Sequence, residues 1–207
     1  MFPNTFMKAN ADAPGRSKDG RIADLLGVIL CGGESRRMGR DKGLLLADGV
    51  PWALHMAEKL RPWGLPVVYS INKGQYETYS AHLPGQRLVV DRLGLAGPLE
   101  GLLTVHAAYP GSDLLLLACD LQDLDAETLS GLIGKYLAEE ANAYAYRDAD
   151  GLQPLCAIYT SVLLRPRYEA VKEGRAIDVR LRSLLDGEGV RLLEAGSEGA
   201  FRNYNTL

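Results

Sequence analysis

The chain has 207 residues, of which 47% are hydrophobic and 24% charged, and its formal net charge is −3. This length and composition predict one globular domain with a substantial core. The slightly negative charge argues against a polymeric nucleic acid as a partner, and no apolar run is long enough to predict a membrane span. The three cysteines lack a C-x-x-C spacing, so they predict reduced thiols in a cytoplasmic protein rather than a disulfide framework or a metal centre.

The first 24 residues mix Pro, Asn, Asp, Lys and Gly and contain no continuous apolar segment. This composition is typical neither of a signal peptide nor of a membrane span. We therefore expect residues 1–24 to be a mobile N-terminal extension that ends in a short helical turn near 22–26. Residues 25–207 are expected to form the folded domain.

Strand and helix patterns alternate along the rest of the chain. Apolar runs predict strands over 27–31, 67–71, 87–90, 113–119, 143–147, 153–160 and 190–194. Helical spacing, together with Pro, Gly and Asp punctuation, predicts helices over 51–61, 99–108, 126–140, 162–173 and 178–185, with Asp125 as the cap of the third. The alternation predicts an α/β fold: a single doubly wound, Rossmann-like domain with a mostly parallel central sheet.

Polar residues or glycines follow several of these strands directly: Gly32, Asn72, Asp91 and Asp120. In open α/β sheets, ligands bind beyond the carboxyl ends of the strands. Asp120 comes after the run Leu-Leu-Leu-Leu-Ala-Cys, which is the best candidate for a strand buried on both faces. We therefore expect the functional site at this edge of the sheet.

The segment 27–42 is a strand followed by a glycine-rich loop that carries several cations. The loop residues that favour a polyphosphate are Gly32, Gly33, Ser35, Arg36, Arg37, Gly39, Arg40 and Lys42. The spacing excludes a P-loop, because Gly33 and Gly39 are too far apart and Arg40 follows them. A G-x-G-x-x-G dinucleotide fingerprint is also missing.

The pattern L-x-G-G-x-S-x-R-M-G-x-D-K in this loop resembles the signature of the nucleotidyltransferases, most closely the molybdenum cofactor guanylyltransferases (the MobA family). Three further segments are similar to motifs of that family: Gly-Pro-Leu-Glu-Gly at 97–101, Gln-Pro-Leu-Cys-Ala-Ile-Tyr at 153–159, and Phe-Arg-Asn-Tyr-Asn-Thr at 201–206. The resemblance covers about residues 27–206 and implies a GT-A-like nucleotidyltransferase domain over 25–207.

The resemblance implies a role for each matching residue. Lys42 and Arg37 would neutralise the triphosphate, and Asp120 would bind Mg²⁺, with Asp123 a weaker candidate. The nucleotide would contact Leu30, Cys31, Gly32, Gly33, Ser35, Lys42, Asn72, Asp91 and Asp120. Asp91 can accept hydrogen bonds from N1–H and the 2-amino group of guanine, although a role in a turn is also open. Asn203 and Asn205 would lie on the acceptor side. Taken without the motif, Asp120 is more typical of a helix or turn cap, and a role as a solvated loop residue is also open for Lys42.

The implied reaction transfers GMP from Mg-GTP to the terminal phosphate of molybdopterin, with release of pyrophosphate. GTP and molybdopterin would be the small-molecule substrates, and contacts with other cofactor-biosynthesis proteins or molybdoenzymes would be transient. Neither nucleic acid nor a membrane is expected as a partner. Two alternatives stay open: a cytidylyltransferase acting on molybdopterin or a small phosphorylated acceptor, and a nucleotide-binding regulator without catalysis.

Overall fold

The computed structural model describes residues 22–32, 41–196, 199–202 and 204. A central sheet is formed by β1 (Leu25–Leu30), β4 (Val67–Ile71), β5 (Leu88–Val90), β6 (Asp113–Ala118), β7 (Ala143–Asp148), β8 (Gly151–Tyr159) and β9 (Val190–Glu194). A small hairpin is formed by β2 (Leu46–Ala47) and β3 (Val50–Pro51). The helices are α1 (Trp52–Glu58), α2 (Tyr76–His82), α3 (Pro98–Ala108), α4 (Ala126–Ala138), α5 (Ser161–Lys172) and α6 (Arg182–Leu185).

The strand order of the sheet is β5-β4-β1-β6-β8-β7-β9. Strands β5, β4, β1 and β6 pair in parallel, whereas β8 is antiparallel to both of its neighbours and β9 is parallel to β7. Among the strands in the described part of the chain, β8 is therefore the one that runs against the others in a mostly parallel sheet. The predicted α/β class and the mostly parallel sheet are confirmed.

Side chains alternate between two cores along the central strands. In β1, Leu25 and Ile29 face a cluster that includes Met56 of α1 and Leu132 of α4. Leu26, Val28 and Leu30 face a second cluster, which includes side chains of α3, α5 and α6. The sheet is therefore covered on both faces. This arrangement explains why the strands of its parallel part read as continuous apolar runs.

Most element positions agree with the sequence prediction to within two or three residues, and Asp125 does cap α4 by accepting from the Thr128 amide at 2.7 Å. The expected helix over 178–185 is wrong in its first half, because the Asp178 side chain accepts from the Arg180 amide and guanidinium and holds a turn there. The expected helical turn near 22–26 is cut short, because Leu25 and Leu26 already pair with β6.

The hairpin β2–β3 and helix α2 were not predicted. The hairpin turns at Asp48 and Gly49, whose φ angles are 51° and 80°, and its strands have two residues each. Such short strands leave no periodic signal to detect. Among the described helices, none has the length and apolar character required to cross a membrane.

Candidate active site

The carboxyl ends of the four parallel strands bring several predicted residues to one edge. Asp91 follows β5, and its amide donates to the Ile71 carbonyl at the end of β4 at 2.9 Å. A Cβ atom added to Gly32 would lie 3.3 Å from Asp91 Oδ2 and 3.7 Å from the Asn72 nitrogen. Gly32 thus keeps open a space between Asn72 and Asp91 that any side chain would enter.

Lys42 and Asp120 form an ion pair at the same edge. Lys42 Nζ lies 2.7 Å from Asp120 Oδ2, although the two residues are 78 positions apart in the chain. Their side chains are only 18% and 13% exposed, so Lys42 is not a solvated loop lysine. A half-buried pair of this kind puts a cation and a carboxylate next to each other at the mouth of the predicted triphosphate site.

Asp41 fixes the backbone that carries Lys42. Its Oδ1 accepts from the Tyr79 hydroxyl at 2.6 Å and from the Gly43 amide at 3.1 Å. Burial raises the pKa of Tyr79 far above its usual range, which keeps the phenol protonated as a donor. A Cβ atom at Gly43 would collide with the Tyr79 hydroxyl. Close packing of Gly43 on Tyr79 therefore helps to set where Lys42 projects.

Gln75 connects this carboxylate to two neighbouring strand ends. Its Nε2 donates to Asp41 Oδ2 at 2.5 Å and to the Cys31 carbonyl at 3.0 Å. Its Oε1 accepts from the Asn72 amide at 2.8 Å. One side chain thus joins the residue after β1, the residue after β4 and the segment that carries Lys42. On the predicted triphosphate side, the described residues are thus joined by a network of hydrogen bonds.

The turn that holds Asp120 is anchored by Lys59, the residue directly after α1. Lys59 Nζ donates to the carbonyls of Gln122 and Leu124 at 2.9 and 2.8 Å, and Gln122 Nε2 donates to the Cys119 carbonyl at 2.6 Å. Burial lowers the pKa of Lys59. These bonds satisfy the carbonyls of the turn after β6, so the Asp120 carboxylate is presented on a fixed backbone.

Asp91 is in a different environment from Asp120. Its Oδ1 is buried and has no hydrogen-bond partner among the described residues. Burial, and secondarily the negative charge of Glu100, raise the pKa of Asp91 to about 7. A buried acceptor without a donor costs free energy, so this oxygen is suited to a donor supplied by a ligand.

The amides of Cys31 and Gly32 are already used within the sheet. Both donate to the Ser70 carbonyl, at 2.9 and 3.0 Å. The Leu30 side chain is buried in the core, and its carbonyl accepts from the Cys119 amide at 3.1 Å. The amides of Cys31 and Gly32 are therefore taken within the sheet, and free amides for a phosphate have to come from other positions.

Several predicted residues lie outside the described part of the chain: Gly33, Ser35, Arg36, Arg37, Gly39, Arg40, Asn203 and Asn205. Their roles stay predictions. Between the two asparagines, the Tyr204 amide donates to the Asp120 carbonyl at 3.4 Å, and its hydroxyl donates to Asp123 at 2.7 Å. The weaker metal candidate Asp123 therefore binds the C-terminal segment.

Within the residues that the structure describes, no group of three His, Cys, Asp or Glu side chains could hold a metal ion by itself. Asp120 supplies one hard carboxylate at the strand end. Mg²⁺ is usually held by one or two carboxylates together with substrate phosphates and water. The residues therefore fit a divalent ion that binds together with a nucleotide, and do not form a complete protein cage.

Sequence reasoning missed the supporting side chains Asp41, Lys59, Gln75, Tyr79 and Glu100. Asp41 and Glu100 lie inside two of the recognised motifs, directly beside Lys42 and Leu99, so their position was a usable signal. The other three come from helices or turns that only the tertiary fold brings to the site.

The chain is similar to known proteins along most of its length. The family model described as the MobA-like NTP transferase domain matches residues 27–192. A molybdenum cofactor guanylyltransferase of Serratia proteamaculans is 31% identical over 188 residues, which are 88% of this chain and 90% of that protein.

A molybdenum cofactor biosynthesis bifunctional protein of Synechocystis sp. is 33% identical over 78% of this chain, and the chain spans only 46% of its length. In structure, the chain is similar to molybdopterin-guanine dinucleotide biosynthesis protein A of Archaeoglobus fulgidus, with a TM-score of 0.69, 18% identity, and coverage of 88% and 92% of the two chains. That structural likeness supports the nucleotidyltransferase fold. By the match to residues 27–192 and by the relatives that it resembles along most of its length, the chain belongs to the MobA-like NTP transferase family.

Proposed function

We propose that this enzyme transfers GMP from metal-bound GTP to the terminal phosphate of molybdopterin and releases pyrophosphate. The observation that carries the proposal is the Lys42–Asp120 ion pair at the end of the glycine-rich loop. It stands in a chain whose relative from Serratia proteamaculans is named a guanylyltransferase. The enzyme is accordingly a nucleotidyltransferase.

Lys42 and a metal ion held by Asp120 would together neutralise the triphosphate. Asp120 would hold Mg²⁺ together with the nucleotide phosphates, and the ion would supply charge neutralisation as pyrophosphate leaves. Lys42 then exchanges its carboxylate partner for phosphate oxygens, and Arg37 adds a second cation. A fixed cation at the developing charge lowers the barrier by about 2–4 kcal/mol, by analogy with other electrostatic stabilisers.

The attacking group needs no activation by a protein base. The terminal phosphate of the acceptor is already ionised near neutral pH, so its oxygen can attack the α-phosphorus directly. The protein's share of catalysis is then to hold the two substrates in line and to exclude alternative geometries. Asn203 and Asn205 are proposed for the acceptor side on their match to the family's closing motif, and the neighbouring Tyr204 amide donates to the Asp120 carbonyl.

Asp91 carries the choice of base. An ionised carboxylate accepts two hydrogen bonds from N1–H and the 2-amino group of guanine, whereas adenine and cytosine offer one donor beside an acceptor. Its buried Oδ1, which lacks a partner among the described residues, supports this role. The proposal also includes Mg²⁺ as the physiological ion. It further includes a cytoplasmic location, which is supported by the three cysteines, all of them free and buried.

The test is a turnover assay with α-labelled GTP, CTP or ATP, molybdopterin and Mg²⁺. We expect labelled guanine dinucleotide and one pyrophosphate per product, and only when both GTP and molybdopterin are present. Product from CTP would show the alternative cytidylyltransferase. Nucleotide binding without any product, with molybdopterin or with a panel of small phosphorylated acceptors, would instead favour a regulator without catalysis.

A further inference from the structure

Glu100 is a buried carboxylate in the first turn of α3 that the proposed chemistry does not use. It is only 5% exposed, yet it does not cap its own helix. Its Oε1 accepts from the Leu93 amide at 2.6 Å, and its Oε2 accepts from the Leu95 amide. Both donors belong to the loop 91–97, which begins at Asp91 and leads into α3.

The loop 91–97 has fixed ends. The Asp91 amide is bonded to β4, and the Glu100 amide donates to the Gly97 carbonyl at 3.2 Å. Between these ends, the two amides at Leu93 and Leu95 are both taken by one charged acceptor. Hydrogen bonds to an ionised acceptor are stronger than neutral ones. The Glu100 side chain therefore fixes the middle of the loop 91–97, which is the segment that directly follows Asp91.

We propose that Glu100 is a positioning residue for base selection: by anchoring the loop 91–97 it holds Asp91 where guanine is distinguished from cytosine. This rests on the proposed function of Asp91 as the guanine acceptor. The anchor is specific in geometry, because the two carboxylate oxygens serve two amides two residues apart. A side chain that keeps the charge but loses the reach cannot replace it.

The direct test compares Glu100→Asp and Glu100→Gln with wild type in titrations with GTP and CTP at pH 8, where Asp91 is ionised with or without the charge of Glu100. Asp keeps the charge but is too short, and Gln keeps the length but offers one acceptor for two amides. Both variants are expected to lower the ratio of GTP to CTP affinity about tenfold, with pyrophosphate affinity little changed. Glu127→Gln, an exposed glutamate in the first turn of α4, is the matched control and should keep the wild-type ratio.

A double-mutant cycle of Glu100→Gln and Asp91→Asn distinguishes the role of Glu100 from the proposed role of Asp91, on which it rests. If Glu100 acts through Asp91, then Glu100→Gln adds little to the loss of GTP preference in the Asp91→Asn background. If Asp91→Asn leaves the GTP preference intact, the proposed guanine pocket fails. If Asp91→Asn removes the preference but both Glu100 variants keep it, only the role of Glu100 is overturned.

If the Glu100 variants do not fold, hydrogen exchange on the wild-type protein still tests whether Glu100 anchors the loop 91–97. The amides of Leu93 and Leu95 should exchange at least tenfold more slowly than the exposed amides of the hairpin turn at Asp48 and Gly49. Exchange of both loop amides at the rate of that turn would overturn the anchor.

Discussion

The site has a triphosphate half around Lys42 and Asp120 and a base half around Asp91. The carboxylates of the two halves differ in whether the protein supplies their hydrogen-bond donors. In the triphosphate half, Asp120 is paired with Lys42, and Asp41 accepts from Gly43, Gln75 and Tyr79. In the base half, Asp91 keeps a buried oxygen without a donor in the described part of the chain. The phosphate half is therefore preorganised by contacts within the protein. In our proposal the nucleotide base supplies the missing donor, and the base half is the selective one.

The largest expected effect comes from breaking the ion pair. Asp120→Asn should lower turnover by about 100-fold or more, because the metal ligand and the charge opposite Lys42 are lost together. The preference for GTP over CTP should survive, since that choice is made in the other half. The measurement is steady-state turnover with a thermal melt as the folding control. Near-normal turnover in a folded variant would remove Asp120 from the metal role.

Asp41→Asn tests whether preorganisation of the phosphate half matters for rate. The new amide would face the Gln75 amide donor, and turning Gln75 over would break its bond to Asn72. We expect kcat to fall about tenfold and the free energy of unfolding to fall by about 1–2 kcal/mol.

Asp48→Asn is the matched control for that variant, because Asp48 is exposed in a nearby turn and Asn tolerates its positive φ. It should leave both quantities unchanged. Equal kcat values for the two variants would show that Asp41 does not position Lys42.

The pH dependence of GTP binding tests the base half of the site, because Asp91 titrates near neutral pH. Burial raises the pKa of Asp91 to about 7, so at pH 6 most molecules carry the protonated form, which cannot accept both guanine donors. GTP affinity should therefore rise about tenfold from pH 6 to pH 8, with a proton released on binding. Calorimetry in buffers of different ionisation enthalpy measures that proton. Asp91→Asn, titrated with the same nucleotide, controls for titration of the phosphates.

The same shift also predicts the sign of a stability effect. Because the native pKa of Asp91 lies above its ordinary value, its contribution to stability is present at low pH and is lost as pH rises through about 7. The stability of Asp91→Asn should lack this component. A wild-type protein whose stability relative to Asp91→Asn is constant between pH 4 and pH 8 would contradict the raised pKa.

The smallest effect is expected at the C-terminal contact. Tyr204→Phe removes the hydroxyl that donates to Asp123 but keeps the ring against Trp52, 6.0 Å away between centroids. The hydroxyl bond is at the surface, so unfolding free energy should change by less than about 0.5 kcal/mol and turnover by less than about twofold. A large loss of turnover would mean that this bond holds the acceptor side in place.

The parts of the site that the sequence could predict are those at strand ends. Asn72, Asp91 and Asp120 each follow an apolar run directly, and parallel strands necessarily bring such positions to one edge. The parallel part of the sheet was also predictable, because strands that are buried on both faces appear in the sequence as continuous apolar runs. Local pattern and global topology agree in this region.

The supporting network was not predictable in the same way. Gln75 and Tyr79 lie in a short 3₁₀ turn and in α2, neither of which has a strong apolar period. Their contacts with Cys31 and Asp41 join residues 34 to 44 positions apart in the chain. The sequence shows Glu100 only as part of a motif, whereas its hydrogen bonds come from a loop that folds back onto it. Contacts set by tertiary structure leave no periodic signal in the sequence.

The most direct test of this division of labour is a calorimetric titration of the wild type, Asp91→Asn and Asp120→Asn with Mg²⁺-GTP and Mg²⁺-CTP. We predict that wild type and Asp120→Asn both prefer GTP, by about 10- to 100-fold as expected for a bidentate contact to a base. Asp91→Asn should bind the two nucleotides about equally. A preference for GTP that survives in Asp91→Asn, or that disappears in Asp120→Asn, would contradict the separation of base selection from phosphate chemistry.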